Sequence, residues 1–271
     1  MTRDHTPRCV SIATSDSGGG AGIQADIRAF AAAGCHGATV VVGVTAQNTR
    51  TVTATYELPP WLIAAQLDAV LSDIGADAVK TGALLSRACV EAVAAALEPL
   101  HRAGTLPPLV IDPVMCASSG AELLSDDAVD ALRRRLLPLA AVVTPNRHEA
   151  ARLAGSAGTL TELATRIAEQ GAHAVVITAS GSGPDHLFDG ERHIAIDVPH
   201  VTSRATHGSG CTHSATLCAR LAHGDDVETA SRTAAAVTAA AIAHGLDDVG
   251  GGDGPVDVIG LHHGGAQPIP H

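Results

Sequence analysis

Short apolar runs alternate with amphipathic helical patterns along most of this chain. The runs are rich in β-branched residues, which is typical of parallel strands buried on both faces, and they lie at 9–13, 39–44, 109–112, 141–144 and 174–178. Between 63 and 74 apolar residues recur with helical spacing, and Ser125 before two aspartates predicts another helix start. This alternation predicts an α/β fold with a doubly wound, mostly parallel central sheet flanked by helices.

The second half of the chain departs from this alternation. Residues 185–198 place a turn of Asp189 and Gly190 between two extended pieces, which predicts a small β-hairpin. Two Ala-rich helices are predicted near 212–222 and 227–244, and we expect an irregular tail from about 257. Because no repeat or linker interrupts the chain, residues 1–271 are predicted to form one domain.

Composition narrows the classes of partner. The formal net charge is −11 and aromatic residues are about 1%, whereas a nucleic-acid binder needs a basic face and rings that stack on bases. A phosphate site must therefore be built locally, from backbone amides, a few basic side chains and a divalent ion. No signal peptide or membrane-spanning run is recognisable, and the six cysteines have no regular spacing, which predicts a reduced, cytoplasmic protein.

The first candidate ligand loop, at 15–22, contains four glycines between a predicted strand and a helix. Glycines let the backbone approach a ligand closely, and a helix start favours negative charge. Gly20, Gly22 and Ala25 fit a dinucleotide-binding fingerprint, but the second strand runs into 45–48 without the acidic residue that binds the ribose. The chain also lacks the glycine-lysine motif of P-loop enzymes.

The second loop, at 207–212, enters an apolar helix after two glycines. Free amides at a helix start form an anion hole suited to a transferring phosphoryl group. Cys211 lies at this positive helix end, where we expect the pKa of its thiol to fall towards neutrality and suit it to act as a base. The alternative is that Cys211 is only a small buried residue at a helix cap.

Two further loops follow strand ends, at 112–115 and 144–149. Asp112, Asn146 and Glu149 supply the oxygen ligands that Mg²⁺ prefers. Alternatively, Asn146 and Glu149 form only the N-terminal cap of a helix.

These loops, in this order, resemble those of the hydroxymethylpyrimidine/phosphomethylpyrimidine kinases of thiamine biosynthesis, a branch of the ribokinase-like superfamily. The similarity runs roughly from 10 to 256 and includes the stretches 16–26, 47–49, 80–82 and 254–256. The resemblance implies a ribokinase-like fold, often in a homodimer. It also implies an enzyme that converts hydroxymethylpyrimidine to its monophosphate and then to the diphosphate, with ATP and Mg²⁺.

The resemblance also implies the roles of individual residues. Gln47 matches the glutamine that binds the pyrimidine, since an amide can donate and accept at once. The other implied substrate-binding residues are Asp16, Gly18, Gly19, Val114 and Ala83. Cys211 matches the cysteine that replaces the aspartate base of sugar kinases. The transferring phosphoryl group is assigned to Gly208, Ser209 and Gly210. The nucleotide is assigned to Thr178, Ser180, Gly181, Lys80, Asn146 and Arg204, and the metal to Asp112 and Glu149.

The sequence departs from the family pattern at three places. Thr178 stands where the family has a lysine, and Ser118 stands where a second lysine is usual. Residues 250–253 replace the usual Gly-His-Gly. Thr178 with Gly181 is closer to the nucleotide loop of sugar kinases, and Arg204 keeps a positive charge just before the anion hole.

Two alternatives stay open. A pyridoxal kinase of the cysteine-containing type shares Cys211 and much of the first loop, and its substrate is also a flat heterocycle with a hydroxymethyl group. A catalytically weak relative that binds the pyrimidine as a sensor would explain the missing lysines. The retained stretch Gly208–Cys211, with Asp112 and Glu149, argues against that second alternative.

Overall fold

The computed structural model describes residues 5–117, 120–179 and 183–261. Its strands are β1 (Arg8–Asp16), β2 (His36–Gln47), β3 (Val52–Glu57), β4 (Ala78–Thr81), β5 (Leu109–Ile111), β6 (Val142–Val143), β7 (Ala174–Ile177), β8 (Asp185–Phe188) and β9 (His193–Ile196). They form one sheet in the order β3-β2-β1-β4-β5-β6-β7-β8-β9. The six strands from β2 to β7 in this order are parallel, and β3, β8 and β9 each pair antiparallel.

The helices lie on both faces of the sheet. They are α1 (Gly22–Ala32), α2 (Pro60–Ala69), α3 (Arg87–Arg102), α4 (Asp126–Ala131), α5 (Arg147–Ala154), α6 (Leu160–Ala168), α7 (Ser209–His223) and α8 (Val227–Ala243). Helix α2 continues as a π-helical turn over Val70–Ile74, and α4 as another over Leu132–Leu136. Helices α2 to α6 cover one face, and α1, α7 and α8 cover the other.

Burial on both faces explains the continuous apolar runs in the strands. In β5, Leu109 and Ile111 pack into the core under α2 to α6, whereas Val110 packs into the core under α1, α7 and α8. An apolar residue is therefore needed at every position. The predicted doubly wound sheet is confirmed, and so is the hairpin, formed by β8 and β9. We also propose that the whole chain is one domain, as the sequence predicts.

Two strands and the end of the chain add to the sequence-based picture. Strand β4 is short and contains Lys80, and β3 is an edge strand exposed from Thr53 to Glu57, so neither shows an apolar run. Most of the predicted irregular tail lies outside the described residues. Before it, His207 and Pro255 form an isolated β-bridge that fastens the end of the chain near α7.

The strand order positions the site. Strands β2 and β4 lie on opposite sides of β1, so the order of strands reverses there and the loops after β1 and β4 diverge. Ligands of doubly wound sheets bind at such a crevice, at the carboxyl ends of the strands.

In the described part of the chain, no helix has the length and apolar character needed to cross a membrane.

Candidate active site

A cavity of about 600 Å³ opens at the carboxyl ends of the parallel strands. Its walls come from the loops that follow these strands, from the segment 198–201, from the start of α7 and from α8. Most of the predicted site residues line it: Asp16, Gln47, Lys80, Ala83, Asp112, Val114, Asn146, Glu149, Thr178, Gly208, Ser209, Gly210 and Cys211.

The remaining predicted site residues are placed elsewhere. Among the described residues that line the cavity, Gly18, Gly19 and Arg204 do not appear. Gly18 and Arg204 are exposed, and Gly18 instead donates its N–H to the carboxylate of Asp16. Ser180 and Gly181 lie outside the described residues, as does Ser118.

The carboxylate of Asp16 organises the first glycine-rich loop. One oxygen accepts the N–H of Gly18 at 2.8 Å, and the other accepts those of Gly20 at 3.1 Å and Ala21 at 2.9 Å. Burial acts to raise the pKa of Asp16, but the bond to His207 and these amides together hold it below its usual value. Asp16 is thus an ionised anchor of the loop, and its direct contact with substrate stays a prediction.

His207 joins this loop to Gln47 and to the start of α7. Its Nε2 lies 2.9 Å from Oδ2 of Asp16 and 3.5 Å from Nε2 of Gln47. Glycine permits the close approach, since a Cβ on Gly20 would overlap the His207 ring and one on Gly208 would overlap the carbonyl oxygen of Gly20. We call Asp16, Gln47 and His207 the Gln47 end of the cavity.

Lys80 is completely buried at the cavity floor. Its Nζ lies 2.8 Å and 3.0 Å from the two carboxylate oxygens of Asp26, and 3.9 Å from Oδ2 of Asp112. Burial acts to lower the pKa of Lys80, but the neighbouring negative charges, that of Asp26 first, and the hydrogen bond to Asp26 together raise this pKa above its usual value. The ammonium is held by Asp26, so its predicted direct contact with a nucleotide stays a prediction.

The start of α7 has the features of an anion hole. Gly208, with a φ of 82°, turns the chain into the helix, and the N–H of Ser209 donates to the carbonyl of Thr206 at 3.1 Å. The next two amides, those of Gly210 and Cys211, are first-turn donors without an intrahelical acceptor. A Cβ on Gly210 would meet nothing within 4 Å, so this side of the helix is open to the cavity.

Cys211 lies where the first turns of α7 and α1 meet, and the N–H of Gly22 donates to its thiol. The expected fall of its pKa towards neutrality is wrong. Burial, with the carboxylates of Asp26 and Asp112, raises the pKa of Cys211 to about 12 against the opposing effect of Lys80. The expectation considered only the helix start, whereas the carboxylates come from distant parts of the sequence. Cys211 therefore carries its proton in the ligand-free protein.

Asp112 and Glu149 are two buried carboxyl groups on neighbouring loops. Burial raises the pKa of Glu149 to about 7, with a further contribution from the charge of Asp112, and burial also raises the pKa of Asp112. Glu149 and Asn146 form a reciprocal capping box at the start of α5, so the predicted helix cap is present. Because both carboxyl groups also line the cavity, the cap does not exclude a second role.

The same two carboxyl groups fit a divalent cation. A cation between them would remove the repulsion that raises the pKa of Glu149. Among the described residues, no group of three or more His, Cys, Asp or Glu side chains is placed to hold a metal. An ion would thus keep water or phosphate oxygens as further ligands, as Mg²⁺ commonly does.

Beyond Glu149, the cavity reaches the loop after β7. Thr178 forms an isolated parallel bridge with Asn146, and its N–H donates to the carbonyl of Pro145 at 2.9 Å. Asp185 is buried and accepts the N–H of Ala179 at 2.8 Å, which ties the two ends of this loop together. Burial raises the pKa of Asp185.

His213 is a buried histidine that faces this loop from α7. Its Nε2 lies 3.8 Å from Oδ2 of Asp185, beyond hydrogen-bond distance, and burial lowers its pKa to about 4. In the described structure, neither ring nitrogen has a hydrogen-bond partner, nor has Oγ1 of Thr238 across the cavity wall on α8. We call Asp185, His213 and Thr238 the Asp185 end of the cavity.

The family of the chain follows from its sequence relatives. A family model described as phosphomethylpyrimidine kinase matches residues 16–257. The chain belongs to this family. A hydroxymethylpyrimidine/phosphomethylpyrimidine kinase of Rhizobium meliloti is 44% identical over 261 residues, which are 93% of this chain and 96% of that protein.

Solved structures show how the phosphomethylpyrimidine kinase fold relates to its neighbours. An ADP complex of Bacillus subtilis pyridoxal kinase has a TM-score of 0.85 at 34% identity and covers 95% of this chain and 99% of its own. A phosphomethylpyrimidine kinase of Clostridium difficile has a TM-score of 0.74 at 31% identity and covers 85% of this chain and 96% of its own. Both have the ribokinase-like architecture, so the fold alone does not separate the two activities.

Sequence reasoning about this phosphomethylpyrimidine kinase family member missed several residues of the site. Lys80 was predicted, but its partner Asp26 was not, although a charged residue on the apolar face of α1 is a usable signal. His207 was noted only as the first residue of its loop. Asp185 and His213 carried no local signal, since only the tertiary structure brings them to the same cavity.

Proposed function

We propose that the chain is an ATP-dependent kinase that phosphorylates hydroxymethylpyrimidine and then its monophosphate in thiamine biosynthesis. The observation that carries this proposal is a thiol held where two helix starts meet, in a cavity that has an amide side chain at one end and two buried carboxyl groups beyond it. Membership of the phosphomethylpyrimidine kinase family supports the same activity.

The Gln47 end supplies recognition of the ring. Gln47 can accept from the exocyclic amine of an aminopyrimidine and donate to the neighbouring ring nitrogen. Ala83 and Val114 line the cavity with apolar surface for the ring, while Asp16 with its glycine-rich loop closes this end. The substrate hydroxymethyl group then points towards Cys211.

Phosphoryl transfer takes place at the start of α7. The substrate oxygen forms a bond to the γ-phosphorus of ATP, the bond from that phosphorus to the ADP oxygen breaks, and the hydroxyl proton passes to the sulfur of Cys211. Because the pKa of Cys211 is raised to about 12, its thiol first loses its own proton to solvent, and the proton taken from the substrate then replaces it. Lys80 and the N–H of Gly22 favour the thiolate. The amides of Gly210 and Cys211, with Gly208 and Ser209 shaping the turn, stabilise the transferring oxygens.

Asp112 and Glu149 would hold Mg²⁺, whose chemistry is to neutralise charge on the phosphates. The nucleotide would lie beyond them, along Asn146 and Thr178, and we keep the sequence-based assignment of Ser180 and Gly181 to nucleotide binding. ADP and AMP-PCP complexes of related pyridoxal kinases support ATP as phosphoryl donor. Lys80 contributes fixed positive charge from the floor, and Arg204 adds charge outside the cavity.

A second candidate is pyridoxal phosphorylation. The high TM-score with Bacillus subtilis pyridoxal kinase favours it, as does a Staphylococcus aureus pyridoxal kinase–pyridoxal complex with a TM-score of 0.83 at 30% identity. The pyrimidine is preferred because relatives that are 44% and 42% identical over 93% and 92% of the chain carry that name, and because Gln47 suits an aminopyrimidine edge.

We also propose that the protein is a cytoplasmic homodimer without nucleic-acid or membrane partners. The edge strand β3 and the start of α2 expose Tyr56 (67%) and Trp61 (70%), a surface that a second copy would cover. Sedimentation of Trp61→Asp against the parent protein tests this arrangement, because an unchanged dimer would exclude the surface.

The deciding experiment for the activity is a turnover assay with ATP and Mg²⁺ on both alcohols and on their monophosphates. We expect turnover of hydroxymethylpyrimidine and its monophosphate, with a lower kcat/KM for pyridoxal. Pyridoxal as the better substrate would favour the second candidate. Binding without any turnover would instead show a non-catalytic binder.

A further inference from the structure

His207 makes contacts that the proposed phosphoryl transfer does not use. Its ring is buried, with Nε2 facing both Asp16 and Gln47, and its backbone is hydrogen-bonded to the segment around Pro255. The His207 N–H donates to the carbonyl of Gly254 at 3.0 Å, and its carbonyl accepts the N–H of Val256 at 3.1 Å. Gly20 packs closely against the ring, because a Cβ at that position would overlap His207.

The partner of His207 decides where its proton lies. Asp16 is held ionised by its surroundings and can only accept, so Nε2 of His207 at 2.9 Å must be the protonated nitrogen. The same Nε2 therefore cannot accept from the amide nitrogen of Gln47. At present Oε1 of Gln47 lies 3.2 Å from Oγ1 of Thr45, and Nε2 faces His207. Rotating the amide by 180° exchanges the two atoms, so that the oxygen faces His207 and the nitrogen faces Thr45.

The direction of this amide decides which ring it can bind. With its oxygen fixed near His207, Gln47 presents an acceptor on that side and a donor on the other, which matches an amine beside a ring nitrogen. The reversed amide would set donor against donor. A ring without the amine gains nothing from the fixed orientation, so the discrimination depends on the group that holds the amide.

We propose that His207, held by Asp16, is a positioning residue that sets the orientation of the Gln47 amide and so selects an aminopyrimidine ring over a pyridine ring. The inference rests on the proposed role of Gln47 in reading the ring. The selected ligands share one chemistry, an exocyclic amine next to a ring nitrogen acceptor.

Calorimetry of the full chain with hydroxymethylpyrimidine and with pyridoxal tests the proposal. His207→Leu keeps bulk but removes the donor, and we expect the Kd for the pyrimidine alcohol to rise about three- to tenfold, with little change for pyridoxal. His207→Gln is the matched control, because its amide can restore an N–H towards Asp16 and should recover most of the affinity. Thr45→Val removes the other contact of the amide without touching Asp16, and should reduce the preference in the same direction.

A double-mutant cycle with Gln47→Ala separates positioning from a structural role. If His207 acts through Gln47, His207→Leu will change pyrimidine affinity little once Gln47 is alanine. Full additivity of the two changes would overturn the inference and leave the role of Gln47 intact. An unchanged pyrimidine Kd in Gln47→Ala alone would overturn the reading of the ring by Gln47, and the inference with it.

The outcome does not depend on one variant. If His207→Leu fails to fold, Thr45→Val and His207→Gln still decide. If Thr45→Val has the same preference for the pyrimidine alcohol as the parent protein, the inference is contradicted. If Thr45→Val has a reduced preference and His207→Gln keeps the preference of the parent protein, the inference is supported. ADP affinity should be the same in all of these variants, because the changes lie away from the nucleotide loop.

Discussion

The two ends of the cavity differ in how far their buried polar groups are hydrogen-bonded. At the Gln47 end, the Asp16 carboxylate receives three backbone N–H groups and the His207 ring, and its pKa is lowered. At the Asp185 end, the pKa of Asp185 is raised by burial, and the ring nitrogens of His213 lack partners within the described structure.

The Gln47 end is therefore organised before substrate binds, whereas the Asp185 end contains buried polar atoms without hydrogen-bond partners in the described structure. Satisfied polar networks rigidify the structure around them, whereas each unpaired buried polar group costs free energy of folding. Removing a polar group should therefore lower the free energy of unfolding at the Gln47 end and raise it at the Asp185 end. Cys211 lies between them, with a pKa raised by burial and by carboxylates from the floor.

The largest expected effect is on Cys211, between the two ends. Cys211→Ala should lower turnover by about 10²–10⁴-fold, the usual contribution of a general base, while substrate and ATP still bind. Because the pKa of the thiol is raised to about 12, turnover of the parent protein should increase with pH through the neutral range, and the variant should lose this increase. A pH profile of kcat measures both.

Two controls accompany the Cys211 test. Cys211→Asp places a stronger acid at the same point and should retain partial activity with an acid-shifted profile. Alkylation should inactivate the parent protein, with protection by bound substrate. Full turnover in Cys211→Ala would show that another group takes the proton and that Cys211 is only part of a helix start.

The next effect tests the Gln47 end. Asp16→Asn leaves some of the loop amides or the His207 donor without an acceptor, so the free energy of unfolding should fall by about 2–4 kcal/mol. Urea denaturation measures the change. Asp68→Asn on the exposed side of α2 is the matched control, and an equal, small effect in both variants would mean that the Asp16 network adds no stability.

The Asp185 end should respond with the opposite sign. Replacing the unpartnered ring in His213→Leu should raise the free energy of unfolding by about 1–2 kcal/mol at neutral pH. The pKa of His213 is about 4 in the folded protein and lies below its usual 6.5, so protonation favours the unfolded chain. The parent protein therefore loses stability as pH falls from 6.5 towards 4. The advantage of His213→Leu should therefore grow on acidification, and a variant that is less stable at every pH would contradict this account.

The smallest expected effect concerns the proton on Glu149. Mg²⁺ beside Asp112 and Glu149 should lower the pKa of Glu149 from about 7 towards its usual value and release less than one proton per molecule near neutral pH. Carbon NMR of the Glu149 carboxyl follows this pKa with and without Mg²⁺. Asp112→Asn should also lower it, by removing a neighbouring charge. A pKa that is insensitive to Mg²⁺ would exclude Glu149 from the metal site.

Local pattern predicted the elements that are buried on both faces or capped by their own sequence. The run at 174–178 matches β7, and Asp189 with Gly190 closes the hairpin through bonds from the Glu191 and Arg192 amides to the Asp189 carboxylate. The exposed edge strand β3 escaped this reasoning, because pairing with β2 rather than burial holds it in the sheet. The pKa of Cys211 was predicted in the wrong direction for a different reason: the burial and the carboxylates that raise it come from parts of the chain distant in sequence.

The sequence by itself determined most of the strands, the four candidate loops and the family, because strand burial, glycine-rich turns and helix starts depend on consecutive residues. Only the tertiary structure decided that Lys80 is held by Asp26, that His207 joins Asp16 to Gln47, and that His213 meets Asp185 without a hydrogen bond. These contacts join residues far apart along the chain. Their charges and protons depend on burial and on distances between elements, which no local pattern encodes.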